Sequence, residues 1–172
     1  KKTLGIVGFG NVGVRLSHLV KGFDMKILVN SKSLESRKSE YPHVENASFD
    51  DLVSKCDILS FHCKATADGK PMLTKEHMKK MKPTSYIINA ARGNIVDEND
   101  LNEALNEGVI AGAAVDVFSK EPAKENVLFN NPKAVLTPHI AASTSEASIV
   151  VAEMVANQIS DFLLNGVEKN TV

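Results

Sequence analysis

Three glycines in six residues, Gly8-Phe9-Gly10-Asn11-Val12-Gly13, join the short apolar run Thr3–Val7 to a segment with helical spacing through Val12, Leu16, Leu19 and Val20. The pattern G-x-G-x-x-G is common by chance, but at the end of a strand and the start of a helix it has a mechanism. Gly8 permits a tight turn, Gly10 lets the backbone approach a pyrophosphate, and Gly13 allows the helix to lie close on the strand. The first helical residues, Asn11 and Val12, then present unpaired N–H groups and a partial positive charge to a phosphate. A strand–turn–helix opening of this kind commits the chain to an α/β architecture.

The remaining pattern agrees. Met25–Val29, Val44–Ala47, Asp57–Cys63, Ser85–Ala90, Val109–Val117 and Ala134–Leu136 read as strands. Phe49–Lys55 (capped by Ser48), Thr74–Met81 and Asp97–Glu107 (stopped by Gly108) read as helices between them. A last helix is announced by Ser143 with Glu146 as a capping box. It continues with an apolar face through Ile149, Val151, Met154, Val155, Ile159, Phe162 and Leu163, and closes at Gly166. Strands that are apolar without alternation, joined by helices, predict a Rossmann-type doubly wound parallel sheet with helices on both faces. All of residues 1–172 reads as one dinucleotide-binding domain.

Composition removes other classes. With 20 Lys+Arg against 21 Asp+Glu the net charge is −1, so no nucleic acid is expected as a partner through bulk positive charge. No apolar run approaches the roughly 18 residues of a membrane span, and no signal peptide opens the chain. Two cysteines, Cys56 and Cys63, make neither a disulfide framework nor a metal pair, which favours a reducing, cytoplasmic setting and no metal.

Two further features concern chemistry. A NAD site usually carries Asp or Glu at the end of the second strand for the adenosine ribose hydroxyls; this chain has Asn30, then Ser31, Lys32 and Ser33. Asn30 binds a hydroxyl without repelling a 2′-phosphate, and Lys32 or Arg37 would attract one. NAD is the expected cofactor and NADP the alternative. Second, Arg92, Glu121 and His139 each follow a predicted strand, where an open α/β sheet borders its ligand crevice. Arg grips a carboxylate with two parallel hydrogen bonds, His moves a proton, and Glu beside His holds the ring and favours its protonated form.

With these residues in view, the chain resembles the D-isomer-specific 2-hydroxyacid dehydrogenases over nearly its whole length. The stretches that carry the resemblance are Gly8–Gly13, Asn89-Ala90-Ala91-Arg92-Gly93, Val96-Asp97-Glu98 with Leu101 and Ala104-Leu105, Asp116-Val117-Phe118 with Glu121-Pro122, and Thr137-Pro138-His139-Ile140-Ala141. The resemblance implies that Arg92, Glu121 and His139 are catalytic and that Asp116 contacts the nicotinamide carboxamide. It also implies that Ala91 and Thr66 lie along the cofactor. Lys64, where the family's loop often has Pro, and Asn30 depart from the pattern. The tail, Ala156–Leu163 with Asn165-Gly166 and Lys169-Asn170-Thr171-Val172, resembles the D-3-phosphoglycerate dehydrogenase branch, which implies serine biosynthesis.

The family's substrate domain is built mainly from about a hundred residues ahead of the glycine loop, and only seven precede Gly8 here. The expectation is therefore a coenzyme domain whose substrate half lies outside this chain, from an enzyme that acts on a small 2-hydroxy or 2-oxo acid and forms a homodimer. Glyoxylate or hydroxypyruvate reduction within the same family is the first alternative. A dinucleotide-sensing, corepressor-like binding protein is the second. Formate dehydrogenases place Gln beside the His, so Glu121 argues against them.

Overall fold

Thr3–Val7 forms β1, and glycine at position 5 is part of the reason it can sit centrally. A Cβ there would lie 2.6 Å from the Cys56 Sγ and 3.0 Å from Leu59 Cδ1, so the helix behind the strand could not approach as it does. A computed structural model of the chain describes residues 1–170; Thr171 and Val172 of the tail motif lie outside the described residues. After β1 come α1 (Asn11–Leu19), β2 (Lys26–Asn30), α2 (Lys32–Glu35), β3 (Glu45–Asn46), α3 (Phe49–Lys55), β4 (Ile58–Phe61) and α4 (Lys75–Met78). The order continues with β5 (Tyr86–Asn89), α5 (Glu98–Asn106), β6 (Gly112–Val115), β7 (Ala134–Leu136) and α6 (Ser145–Asn165).

The seven strands form one sheet in the order β3-β2-β1-β4-β5-β6-β7, and every pairing is parallel. The strand order reverses between β1 and β4, which places a crevice at their carboxyl ends. Successive side chains alternate between two cores. Leu4 and Ile6 of β1, Ile27 and Val29 of β2 and Leu34 of α2 belong to one, with Val14 and Leu16 of α1 against it. Val7, Leu28, Leu59, Phe61 and Ile87 join Leu52, Val53, Leu101 and Leu105 in the other. Burial on both faces explains why these strands read as continuous apolar runs. The two-sided cover holds at β1–β4. Farther along, Tyr86, Ile88 and Val135 are exposed, because no α-helix intervenes between β6 and β7 to cover that face.

Several boundaries differ from those predicted. The segment Thr74–Met81 keeps one α-turn, since Lys80 and Met81 donate to carbonyls three residues back and Pro83 follows shortly after. Val109–Val117 contributes only Gly112–Val115 as strand. The short α2 was not foreseen. Among the described residues, 1–139 make one compact unit and 140–170 a second. In the second unit the cap of α6 is Thr144, whose Oγ1 accepts from the Ala147 N–H at 3.1 Å, rather than Ser143. Periodicity gave α6 an apolar face meant for a core, yet none of its residues is buried, and Leu164 is 81% exposed. The pattern reports that a face is apolar, not what covers it.

The helix also bears on the absence of a membrane-length apolar run. By length and composition alone α6 is long and apolar enough to cross a membrane, with a mean hydropathy of 1.3 in its most apolar window. Glu153, Asn157, Gln158 and Ser160 interrupt the apolar residues, so no unbroken run announced it.

At the amino end of the sheet, away from the crevice, Asp57 is nearly buried. It accepts the Thr3 N–H at 2.8 Å, with Lys82 and Lys2 Nζ at 3.2 and 3.4 Å. The backbone hydrogen bond from Thr3, aided by the lysines, holds its carboxyl below the usual carboxylate range. A group depressed in the folded state stabilises above its unfolded value, and that contribution is lost as pH falls through the folded one. Asp57→Ala is expected to cost about 2 kcal/mol in a denaturant titration at neutral pH. The difference from wild type should shrink on acidification, and dinucleotide affinity should not change.

Candidate active site

The glycine turn has the predicted form. Gly8 adopts φ +91°, and a Cβ on it would meet the His62 carbonyl oxygen at 2.5 Å; its N–H donates to the Asn30 carbonyl at 3.0 Å. Gly13 is buried, with room for no side chain, since a Cβ would lie 2.4 Å from the Gly8 oxygen. Gly10 differs: a Cβ there would meet nothing within 4 Å, so the backbone of the turn borders open space. Gly10 caps α1 without any side-chain hydrogen bond to the first turn. The N-terminal N–H groups around Asn11 and Val12 are therefore available to an anion, and Val12 is 63% exposed above them. This cradle fits a dinucleotide pyrophosphate.

Asn30 ends β2 in register with Val7 and donates its Nδ2 to the Ala47 carbonyl at 2.9 Å, tying β2 to the start of the β3–α3 connection. Beside it a cavity of about 320 Å³ is lined by Asn30, Ser31, Lys32, Glu35, Asn46, Ala47 and Ser48. The Ser31 and Ser33 hydroxyls pair at 2.9 Å. On the other side of the turn a cavity of about 270 Å³ is lined by Val12, His62, Cys63, Lys64, Ala90, Ala91 and Arg92. Ala91 is set there by Asn89, which accepts the Ala91 N–H at 3.2 Å and donates to the Arg92 carbonyl at 2.9 Å. Sequence reasoning passed over His62 and Lys64 as lining residues. Their signal was position, immediately after a strand adjacent to β1. Burial keeps the His62 imidazole below its ordinary pKa, with Nε2 at 2.9 Å from the Ser60 hydroxyl. Thr66 is not among the residues lining these cavities: its hydroxyl donates to the Lys70 carbonyl and closes a turn.

The polar cluster lies at the ends of β5, β6 and β7. A cavity of about 240 Å³ is lined by Arg92, Gly93, Asn94, Val117, Phe118, Ser119, Glu121 and His139, so the three residues singled out by sequence share one space. Glu121 accepts the Phe118 N–H on Oε1 at 2.9 Å and meets His139 Nδ1 with Oε2 at 2.7 Å. A carboxylate can only accept here, so Nδ1–H donates and Nε2 is the nitrogen left for proton exchange. The His139 hydrogen bond, then that from Phe118, hold Glu121 below the usual carboxylate range. His139 itself takes a left-handed backbone, φ +56°, with its N–H on the Thr137 carbonyl. Arg92 is exposed and spends one Nη1 donor on the Ala91 carbonyl at 2.6 Å, leaving the rest of its fork. Asp116 is buried under the site and accepts from the Thr137 hydroxyl.

Glu121 and His139 also border a larger cavity of about 580 Å³, mostly apolar, with Phe118, Pro122, Phe129 and Leu136. Of the two spaces, the smaller one brings the Arg92 guanidinium to the pair.

Residues 1–141 match the model of the D-isomer specific 2-hydroxyacid dehydrogenase, NAD binding domain. The chain belongs to this family. It is 40% identical over 171 residues to a glyoxylate reductase of Thermococcus litoralis, covering 99% of this chain and 52% of that protein. It is 38% identical over 161 residues to a D-3-phosphoglycerate dehydrogenase of Bacillus subtilis, covering 94% and 31%. Among solved structures, a glyoxylate reductase from Paecilomyes thermophila superposes with a TM-score of 0.87 at 31% identity, covering 98% of this chain and 51% of that one. This family domain thus spans about half the length of the glyoxylate reductases it matches, and less of the phosphoglycerate dehydrogenase.

Proposed function

We propose that these residues are the coenzyme-binding half of an oxidoreductase that moves a hydride between a nicotinamide dinucleotide and a small D-2-hydroxy or 2-oxo acid. The observation that carries the reading is the Glu121–His139 pair at 2.7 Å, sharing a cavity with Arg92 near the glycine turn. A bound nicotinamide dinucleotide supplies the hydride chemistry. The chain's own residues do the rest. Gly8, Gly10, Asn11, Val12 and Gly13 hold the pyrophosphate, and Asn30 with Ser31 the adenosine ribose. Asp116 and Ala91 border the nicotinamide end, and Thr66, whose hydroxyl donates to the Lys70 carbonyl, lies along the cofactor through the backbone of its turn.

Arg92 fixes the substrate carboxylate by paired hydrogen bonds and orients the adjacent carbonyl. His139 Nε2–H gives its proton to that oxygen during reduction and takes it back during oxidation. Glu121 keeps the ring aimed and balances the charge that appears on it.

The substrate half is assigned to chain outside these residues, and the full protein to a cytoplasmic homodimer. The exposed apolar face of α6 is assigned to protein contact rather than lipid, because Glu153, Asn157, Ser160 and Asp161 give the same helix a polar side that a bilayer would also have to bury. 3-Phosphoglycerate is the first substrate to assay and glyoxylate or hydroxypyruvate the second. The full-length protein should turn over one of them with NAD(H) or NADP(H), whereas the 172-residue chain should bind dinucleotide without turnover. Tight dinucleotide binding by a full-length protein that acts on none of these acids would replace the enzyme with a corepressor-like sensor.

A further inference from the structure

Three aromatic rings from two segments meet beside α1: His18 on the helix, and Tyr41 and His43 on the segment 38–44 between α2 and β3. The His18 and His43 ring centroids are 4.8 Å apart, with the planes tilted by 41°. Buried Tyr41 meets Phe9 of the glycine turn edge-on, with centroids 5.1 Å apart and planes at 89°. Phe9 is itself buried between Gly8 and Gly10, so the segment 38–44 supports the turn through the core that both share.

A hydrogen bond fixes which form of His43 does this. The Ser17 hydroxyl donates its one proton to the Val14 carbonyl at 2.7 Å, so toward His43 Nε2, at 3.1 Å, it can only accept. Nε2 therefore carries hydrogen, and a second proton must enter at Nδ1. Among the described residues the groups that face the ring are His18 from α1, Lys21 from the tight turn after it, and Tyr41 from its own segment. None of these is a carboxylate. Arg37 lies over the Tyr41 ring at 5.0 Å and donates to the Tyr41 hydroxyl, and Glu40, the acid of the segment, faces Arg37 at 3.6 Å. The carboxyl end of α1 attracts a cation, but its last turn already holds His18. Burial first, then Lys21 and His18, keep the His43 imidazole below its ordinary pKa. The fold thus favours the neutral ring. That stabilisation is present above the unfolded value, about 6.5, and is lost as pH falls through the folded one.

We propose that His43 is a titrating latch on the glycine turn, and this rests on the dinucleotide reading above. The neutral ring holds the segment 38–44 against α1, with Tyr41 seated on Phe9. Protonation at Nδ1 sets a cation beside His18 and Lys21, loosens the segment and lowers dinucleotide affinity. His43 is a positioning residue, acting on the pyrophosphate cradle only through Tyr41 and Phe9.

The test is calorimetric titration of the chain with NAD⁺ between about pH 8 and about pH 5, where histidine titrates and the ligand's pyrophosphate keeps its charge. Wild-type affinity should fall about fivefold across this range. His43→Gln keeps an N–H donor for Ser17 without the charge. It should match wild type within about twofold at the upper end and lose most of the fall. His62 and His139 border other cavities and are present in both proteins, so the difference belongs to His43. His18→Gln removes a neighbour that opposes the charge and should move the fall to higher pH. A fall of the same size in His43→Gln, or an affinity loss in that variant equal at both ends of the range, overturns the latch and leaves the dinucleotide reading standing. Binding of NAD⁺ by neither protein at any pH overturns both.

Discussion

Replacing His139 by Asn in the full-length protein should lower kcat by roughly a thousandfold while leaving the dinucleotide dissociation constant unchanged. Asn suits the experiment for two reasons visible in the structure. His139 has a left-handed backbone, φ +56°, a region in which Asn is tolerated and Ala or a β-branched residue is strained. The Asn side-chain amide can also donate toward Glu121, so the loop that carries both residues need not rearrange. What is lost is a titratable nitrogen in the cavity shared with Arg92. The glycine turn and the Asn30 cavity do not involve His139, so binding should persist. The paired measurement is single-turnover hydride transfer with a 2-oxo acid and fluorescence titration with the reduced dinucleotide. A variant that retains activity within tenfold of wild type would remove His139 from proton transfer, and Glu121 would lose its role with it.

Much of this site is legible in the sequence, because each part has a local signature. The glycine turn has a fixed spacing tied to a strand and a helix. Arg92, Glu121 and His139 are polar residues in the loops that follow apolar strands, and the parallel sheet gathers strand ends by construction. Less legible was everything decided by partners distant in sequence. Nothing in the spacing of Arg37 shows that Tyr41 engages it, whereas Lys32 stays available. Nor does the sequence show that the Thr66 hydroxyl donates to the Lys70 carbonyl. The apolar face of α6 follows from periodicity alone, and periodicity does not distinguish a covered face from an open one. Strand ends were overextended for a similar reason: residues 116–117 are as buried as the strand but lie past the pairing with β7.

The second large effect is expected at Gly93, a residue that sequence placed only in a motif. A Cβ on Gly93 would lie 1.9 Å from both the Phe118 carbonyl carbon and its oxygen, and 2.4 Å from the Ser119 nitrogen. Those are backbone atoms, so no rotamer change relieves the overlap. The peptide they belong to is also held on both sides. The Phe118 N–H is bound by the Glu121 carboxylate at 2.9 Å, while the Ser119 N–H and hydroxyl are bound by Glu98 at 2.7 and 2.8 Å. Gly93→Ala must push this peptide outward, and either carboxylate that lets go leaves a charge without its donor. We expect a loss of about 3 kcal/mol by denaturant titration, at the upper end of what overpacking costs. Displacement of Phe118 also frees Glu121, whose Oε2 orients His139, so the variant that remains folded should lose turnover by about a hundredfold. Glu98→Gln separates the two consequences, since it loosens the Ser119 side of the loop without touching the Glu121–His139 pair. It should cost stability and spare turnover. If Gly93→Ala proved as stable as wild type, the loop from Asp116 to Pro122 would have to yield freely, and a freely yielding loop could not hold His139 in one orientation.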